Sequence, residues 1–198
     1  MYEIAFSYRN VEYEVGVIEQ LISRYTQVPV RRILELACGP AVHAPLLRAR
    51  GYEYAGIDTS VGMLAHGRAR SAARQTPMTL LAADLRAFSL PHACQLAFIT
   101  LGSLCVESTC DLQAHFAAVA LALESGGLYL LESCVNCAPN AGRVESSQMG
   151  AGSTLVDATC ECRTVDAAEQ LIEERLTVIA TWDGQQHQYS EAARRRQI

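Results

Sequence analysis

The feature that most constrains this chain is a series of short, almost wholly apolar segments alternating with helix-like ones. "RRILELA", "YEYAGID", "MTLLAAD", "QLAFITLG" and "LYLLES" each read as a strand buried on both faces. Between them, residues 41–50, 60–74 and 111–123 have helical character, the first closed by Gly51 and the last by Ser125-Gly126-Gly127. Strands without polar alternation, separated by crossover helices, specify a parallel sheet covered on both sides. A further helix over residues 11–25 opens the chain, with Val11, Val15, Ile18, Leu21, Ile22 and Tyr25 at helical spacing.

The final third has a different pattern. "TLVDATCECRTV" and "EERLTVIATW" predict longer antiparallel strands joined by a turn near Asp166 to Gln170. Asp183-Gly184 is a hairpin signal leading into "QQHQYSEA", so a three-stranded meander is expected. Residues 136–153 are the most loop-like stretch. The expected organisation is one domain over 1–198: an N-terminal cap helix within 1–29, a core at 30–135, and a loop with an antiparallel β extension at 136–198. A chain of 198 residues suffices for one substantial core.

Composition removes several functions. The formal charge is -5 and the basic residues are scattered, so no nucleic-acid groove is expected. The single basic cluster, Arg194 to Arg196, reads as a solvated tail. All 16 basic residues are arginine, and without lysine the usual Schiff-base and pyridoxal phosphate chemistries are excluded. No apolar run is long enough to span a membrane, and the first residues lack the order of a signal peptide. A cytoplasmic protein with mostly reduced cysteines is therefore expected. Cys134-x-x-Cys137 and Cys160-x-Cys162 were weighed as a zinc site, but an x1 pair on one strand face fits packing thiols better, and no metal is expected.

The chemistry is concentrated at the end of the first strand, in "ILELACGPAVHAPLL". Glu35, Asp58 and Asp84 each stand where a parallel strand ends, so the three carboxylates are expected to face one crevice. Asp58 follows Gly39 by about 20 residues, the interval at which an acid accepts hydrogen bonds from a ribose diol. A pyrophosphate needs free N–H groups at such a turn. Pro40 and Pro45 each remove one, although both are structurally tolerable at a helix start. A cofactor with ribose and adenine but no phosphate loses little by this. S-adenosylmethionine is such a molecule.

The ordered set "ILELACGPAVHAPLLRARGYEYAGIDTSVGML", "LLAADLRAF", "LAFITLGSL" and "LALESGGLYLLES" resembles the class I S-adenosylmethionine-dependent methyltransferases over residues 30–134. The resemblance implies an α/β fold with a Rossmann-like parallel sheet flanked by helices. It also implies site roles. Glu35 supports the first turn, where Gly39 lines the methionine moiety and Ala37 and Ala41 replace flanking glycines, which alanine can do at negative φ. Asp58 binds the ribose hydroxyls, Thr59 and Met63 flank the adenine, and Asp84 with Leu85 takes its amino edge. Thr100, Leu101 and Gly102 lie near the transferred methyl.

The methyl acceptor is expected to be a small molecule, reached by in-line displacement in which alignment does most of the work. His43 and Glu132 are candidate bases by position, with a surface or packing role favoured for His43, and no catalytic residue is assigned. Tyr8, Tyr13 and Glu132 are candidate substrate contacts. The family core normally continues past strand five with a helix and two more strands. Here the chain ends soon after the meander, so those strands are expected to be missing and strand five to form an open edge. A homodimer covering that edge is expected. Two alternatives stand beside the methyltransferase: a truncated module that binds S-adenosylmethionine without turnover, and an NAD-dependent oxidoreductase.

Overall fold

A computed structural model describes residues 2–133 and 142–196. The chain divides into two compact units, one of residues 10–104 and 109–133, the other of residues 1–9, 105–108 and the segment from 134 onward.

The first unit is the parallel sheet and its helices. Its strands are β1 (Arg32–Leu36), β2 (Glu53–Asp58), β3 (Thr79–Ala82), β4 (Cys94–Ile99) and β5 (Leu123–Leu131). Counting the short α1 (Tyr2–Ala5) of the other unit, its helices are α2 (Val11–Tyr25), α3 (Ala44–Ala49), α4 (Val61–Arg74) and α5 (Thr109–Ala122). The sheet order is β3-β2-β1-β4-β5, with every pairing parallel. All six residues of β4 are buried, which accounts for the apolar run there that only Gln95 interrupts. The core gathers Val15 and Ile18 of α2, Leu47 of α3 and Leu64 of α4 around Ile33, Leu96 and Phe98.

Local sequence sets the element ends. Asn10 caps α2 by accepting from the Tyr13 N–H at 3.0 Å, and Ser60 caps α4 through the Met63 N–H. Gln95 is buried inside the sheet, and its Oε1 accepts from the Arg31 and Arg32 N–H groups at 3.0 and 2.8 Å, fixing the start of β1. Gly56 is required for packing, because a Cβ there would stand 2.7 Å from the Cys38 sulfur. Two boundaries differ from the sequence reading. Helix α3 starts at Ala44, since residues 37–43 are needed for the turn. Strand β5 starts directly after α5, and the Ser125-Gly126-Gly127 segment lies inside it as an irregularity between the Cys94–Leu123 and Leu96–Leu128 pairs. Among the described residues, β5 pairs with β4 alone.

The second unit holds an antiparallel sheet of four strands, not three, in the order β6-β7-β8-β9. These are β6 (Arg143–Ala151), β7 (Thr154–Asp166), β8 (Leu171–Trp182) and β9 (Gln185–Arg196), with α1 packed against β6 and β7. Residues 143–151 were expected to be loop and are the strand β6. Seven of the nine are polar or small enough to hide any apolar alternation, and eight are exposed. Backbone pairing with β7 across the Gly152 turn, not burial, makes this strand. The register places Val156, Ala158, Cys160, Cys162, Leu176, Val178 and Ala180 on one face, while Thr159, Glu161, Arg163, Glu173 and Thr177 share the other. Within the described residues no helix is long and apolar enough to cross a membrane.

Candidate functional site

In an open parallel sheet the crevice forms beyond the carboxyl ends of the strands, where the strand order reverses. Here that point lies between β1 and β4, and the segments leaving β1, β2, β3, β4 and β5 carry nearly all the residues singled out from sequence.

The turn after β1 has an alternating left-handed backbone, with φ of 51° at Ala37, 52° at Gly39 and 54° at Ala41. The expectation of negative φ at the two alanines is therefore corrected. Both adopt a conformation in which a Cβ is strained. Hydrogen bonds over-determine it. The Cys38 N–H donates to the Ile57 carbonyl at 2.9 Å, the Gly39 N–H to Asp58 Oδ2 at 2.7 Å, and the Ala41 N–H to the Cys38 carbonyl at 2.9 Å. Pro40 has no N–H. From Cys38 to Ala41 every backbone donor is thus either engaged inside the protein or missing.

Asp58 binds that turn with one oxygen and accepts from the Ser60 N–H with the other, at 2.7 Å. A carboxylate has about four lone-pair sites, so two remain on this half-buried group. Thr59 beside it is exposed, and Met63 is half-buried one turn into α4.

Glu35 departs from the reading that all three acids face the crevice. It is 4 % exposed, and its carboxylate accepts from the Tyr54 hydroxyl and bonds His43 Nδ1 at 2.8 Å. The same tyrosine hydroxyl meets the Cys38 thiol, and burial drives both the Tyr54 and Cys38 pKa values well above their ordinary values. His43 is fully buried, not a surface group. Its other nitrogen bonds Glu14 Oε2 of α2 at 2.8 Å, and its ring meets Phe98 edge-on at 5.4 Å.

Asp84 is held by a residue that no sequence motif singles out. Arg86 clamps it with a fork, Nε to Oδ1 at 2.9 Å and an Nη to Oδ2 at 2.6 Å, while the Arg86 N–H also donates to Oδ1. The guanidinium and the backbone donor lower the Asp84 pKa to about 2. Arg86 reaches on to Asp111 of α5 at 2.9 Å. The neighbouring Leu85 carbonyl accepts from His115 Nδ1 at 3.0 Å, and His115 Nε2 accepts from the Tyr129 hydroxyl at 2.8 Å. Burial lowers the His115 pKa, which fits a neutral ring donating on one side and accepting on the other.

Beyond β4, Leu101 and Gly102 are both left-handed, at φ 59° and 60°, and Leu101 is 39 % exposed. The Leu101 N–H donates to Glu132 Oε2 at 3.1 Å, and Ser103 turns back onto the Thr100 carbonyl. Glu132 therefore caps this loop. Tyr13 of α2 is 70 % exposed; Tyr8, 60 % exposed, belongs to the other unit.

Among the described residues, no group of three His, Cys, Asp or Glu side chains is placed to hold a metal ion. Cys160 and Cys162 lie on one face of β7, and Cys134 and Cys137 lie outside the described residues. Sequence reasoning missed Glu14, Tyr54, Arg86 and His115. Only His115 left a trace, as a lone imidazole in the apolar helix "DLQAHFAAVALA".

Residues 33–127 match the family model described as a methyltransferase domain. No curated protein matches the sequence significantly. Among solved structures, Streptomyces venezuelae DesVI superposes with a TM-score of 0.81 at 21% identity, covering 94% of this chain and 77% of its own. CalS10 from Micromonospora echinaspora, an amino pentose methyltransferase of calicheamicin biosynthesis solved with S-adenosylmethionine bound, gives 0.80 at 17%, covering 100% and 82%. The sugar N-methyltransferase KedS8 from Streptoalloteichus gives 0.81 at 16%, covering 99% and 78%. At these identities the likeness is one of fold.

Proposed function

We propose that this chain, whose residues 33–127 match a methyltransferase-domain model and whose fold is that of the class I, Rossmann-like S-adenosylmethionine-dependent methyltransferases, methylates a small-molecule acceptor. The observation that carries the cofactor assignment is the hydrogen-bond accounting of the turn. No backbone donor from Cys38 to Ala41 is available to an anion, whereas Asp58 keeps two acceptor sites for a diol. When bound, S-adenosylmethionine supplies an electrophilic methyl carried on a sulfonium.

The chain's own residues hold and orient. Ala37, Gly39 and Ala41 line the methionine moiety, on a turn that Glu35 supports through His43 and Tyr54. Asp58 takes the ribose, and Thr59 and Met63 flank the adenine. Asp84 and Leu85 present its polar edge, with Arg86 and His115 fixing their positions. Thr100 to Gly102, held by Glu132, shape the approach to the methyl, and Tyr13 is an acceptor contact in this reading. An amine acceptor needs no base from the protein once it has given its proton to water, which agrees with the lack of an unengaged basic side chain among the residues assigned. Two of the fold neighbours are described as acting on an amino pentose and on a sugar nitrogen, so amino sugars are the first acceptors to assay. A cytoplasmic setting and a homodimer that covers β5 complete the proposal; the six described cysteines form no disulfide.

Calorimetric titration tests the assignment. S-adenosylhomocysteine is expected to bind and NAD not to, and Asp58→Ala is expected to weaken the former by about tenfold or more, the loss of a charged hydrogen-bond pair. Binding of NAD without S-adenosylhomocysteine would sink the reading.

A further inference from the structure

Among the described residues, His43 is the fully buried polar side chain that joins the turn after β1 to α2. One ring nitrogen bonds Glu35 at the end of β1 and the other bonds Glu14 in the first turn of α2, each at 2.8 Å. The ring is 0 % exposed and set against Phe98, so it has no alternative rotamer open to solvent. The turn it closes has three successive alternate residues in the left-handed region, two of them alanine, and such a conformation persists only when the surroundings impose it.

We propose that His43 is a positioning residue that couples the seating of α2 to donor binding at the turn; this rests on the reading of residues 37–63 as the S-adenosylmethionine site. The bond that Glu35 sends toward the turn ends on the His43 ring, while its other oxygen accepts from Tyr54 on the neighbouring strand. The orientation of His43 is set from outside, by Glu14. The rest of α2 is anchored differently, by Val15 and Ile18 in the core and by Glu12 and Glu19 on Arg50. Loss of the Glu14 contact therefore frees the turn without detaching the helix. Coupling is reciprocal: if Glu14 tightens the donor site, a bound donor must tighten α2.

The obvious variant, His43→Ala, empties a buried site, so the test is placed on Glu14, whose side chain is 26% exposed. Glu14→Ala is expected to keep its melting temperature within a few degrees while binding S-adenosylhomocysteine about tenfold more weakly well below melting. Glu14→Gln, which keeps an acceptor oxygen at similar reach, should recover part of that loss. In the wild type, S-adenosylhomocysteine should slow amide exchange across residues 11–25, and Glu14→Ala should abolish that added protection. A purely structural role would lower the melting temperature and leave affinity and ligand-induced protection unchanged, which would overturn the proposal. A wild type that fails to bind S-adenosylhomocysteine removes the cofactor reading and the coupling with it; normal wild-type binding with unaltered variants removes the coupling alone.

Discussion

Ala37 and Ala41 show what a single residue can and cannot reveal. Their places in the turn were legible, since the acid at 35 and the glycine at 39 fix the frame. Their dihedrals were not, because φ there is imposed by Asp58 and Ile57 of the neighbouring strand and by the Cys38 carbonyl within the turn. The strain should be measurable. Ala37 is only half-buried, so Ala37→Gly relieves a left-handed alanine at little packing cost and is expected to stabilise the protein by about 1 kcal/mol in denaturant titration. Ala41 is 1% exposed, and there the lost methyl contact should cancel the gain. His43 was legible as a surface or packing residue near the turn, but its bonds were not, because both its partners come from other elements.

At the scale of elements, the loop after β3 is held by α5 and β5 through two titrating groups with separate pH windows. His115 has a folded pKa below its ordinary value of 6.5, because burial disfavours its charged form. The unfolded chain then binds more protons as pH drops, so this stabilisation is complete above about pH 6.5 and is lost on acidification. Asp84 is depressed from 3.8 to about 2, so its contribution persists to near pH 4 and fades only toward pH 2. Stability measured against pH should fall in two steps, with His115→Gln flattening the upper and Asp84→Asn the lower. Most element positions were read correctly, and α2 to the residue, because buried strands and amphipathic helices carry periodicity. Strand β6 was missed because an exposed polar strand carries none. The fork from Arg86 was missed because its geometry depends on how the chain turns after Asp84.

On the scale of the whole molecule, the alternating pattern of apolar strands was enough to predict a parallel sheet, and the order β3-β2-β1-β4-β5 leaves Asp58 and Asp84, but not the buried Glu35, as acids at the carboxyl edge of the sheet. The edges were harder to foresee. Strand β5 pairs on one side only among the described residues, and an unpaired strand edge is a template for another chain. Light scattering at micromolar concentration is expected to return twice the chain mass, and a monomer would count against a dimer built on that edge. A different consequence follows from the backbone donors consumed around Gly39. Exchanging Asp58 alone would release one donor, the Gly39 N–H, while those of Cys38 and Ala41 stay bound to backbone carbonyls and Pro40 has none; a redesign toward a dinucleotide would have to go on to Pro40. On the proposed reading of the turn, the same closure is expected to give passive selectivity against phosphorylated nucleotides. It discriminates against them by what the turn withholds, with no repelling charge needed.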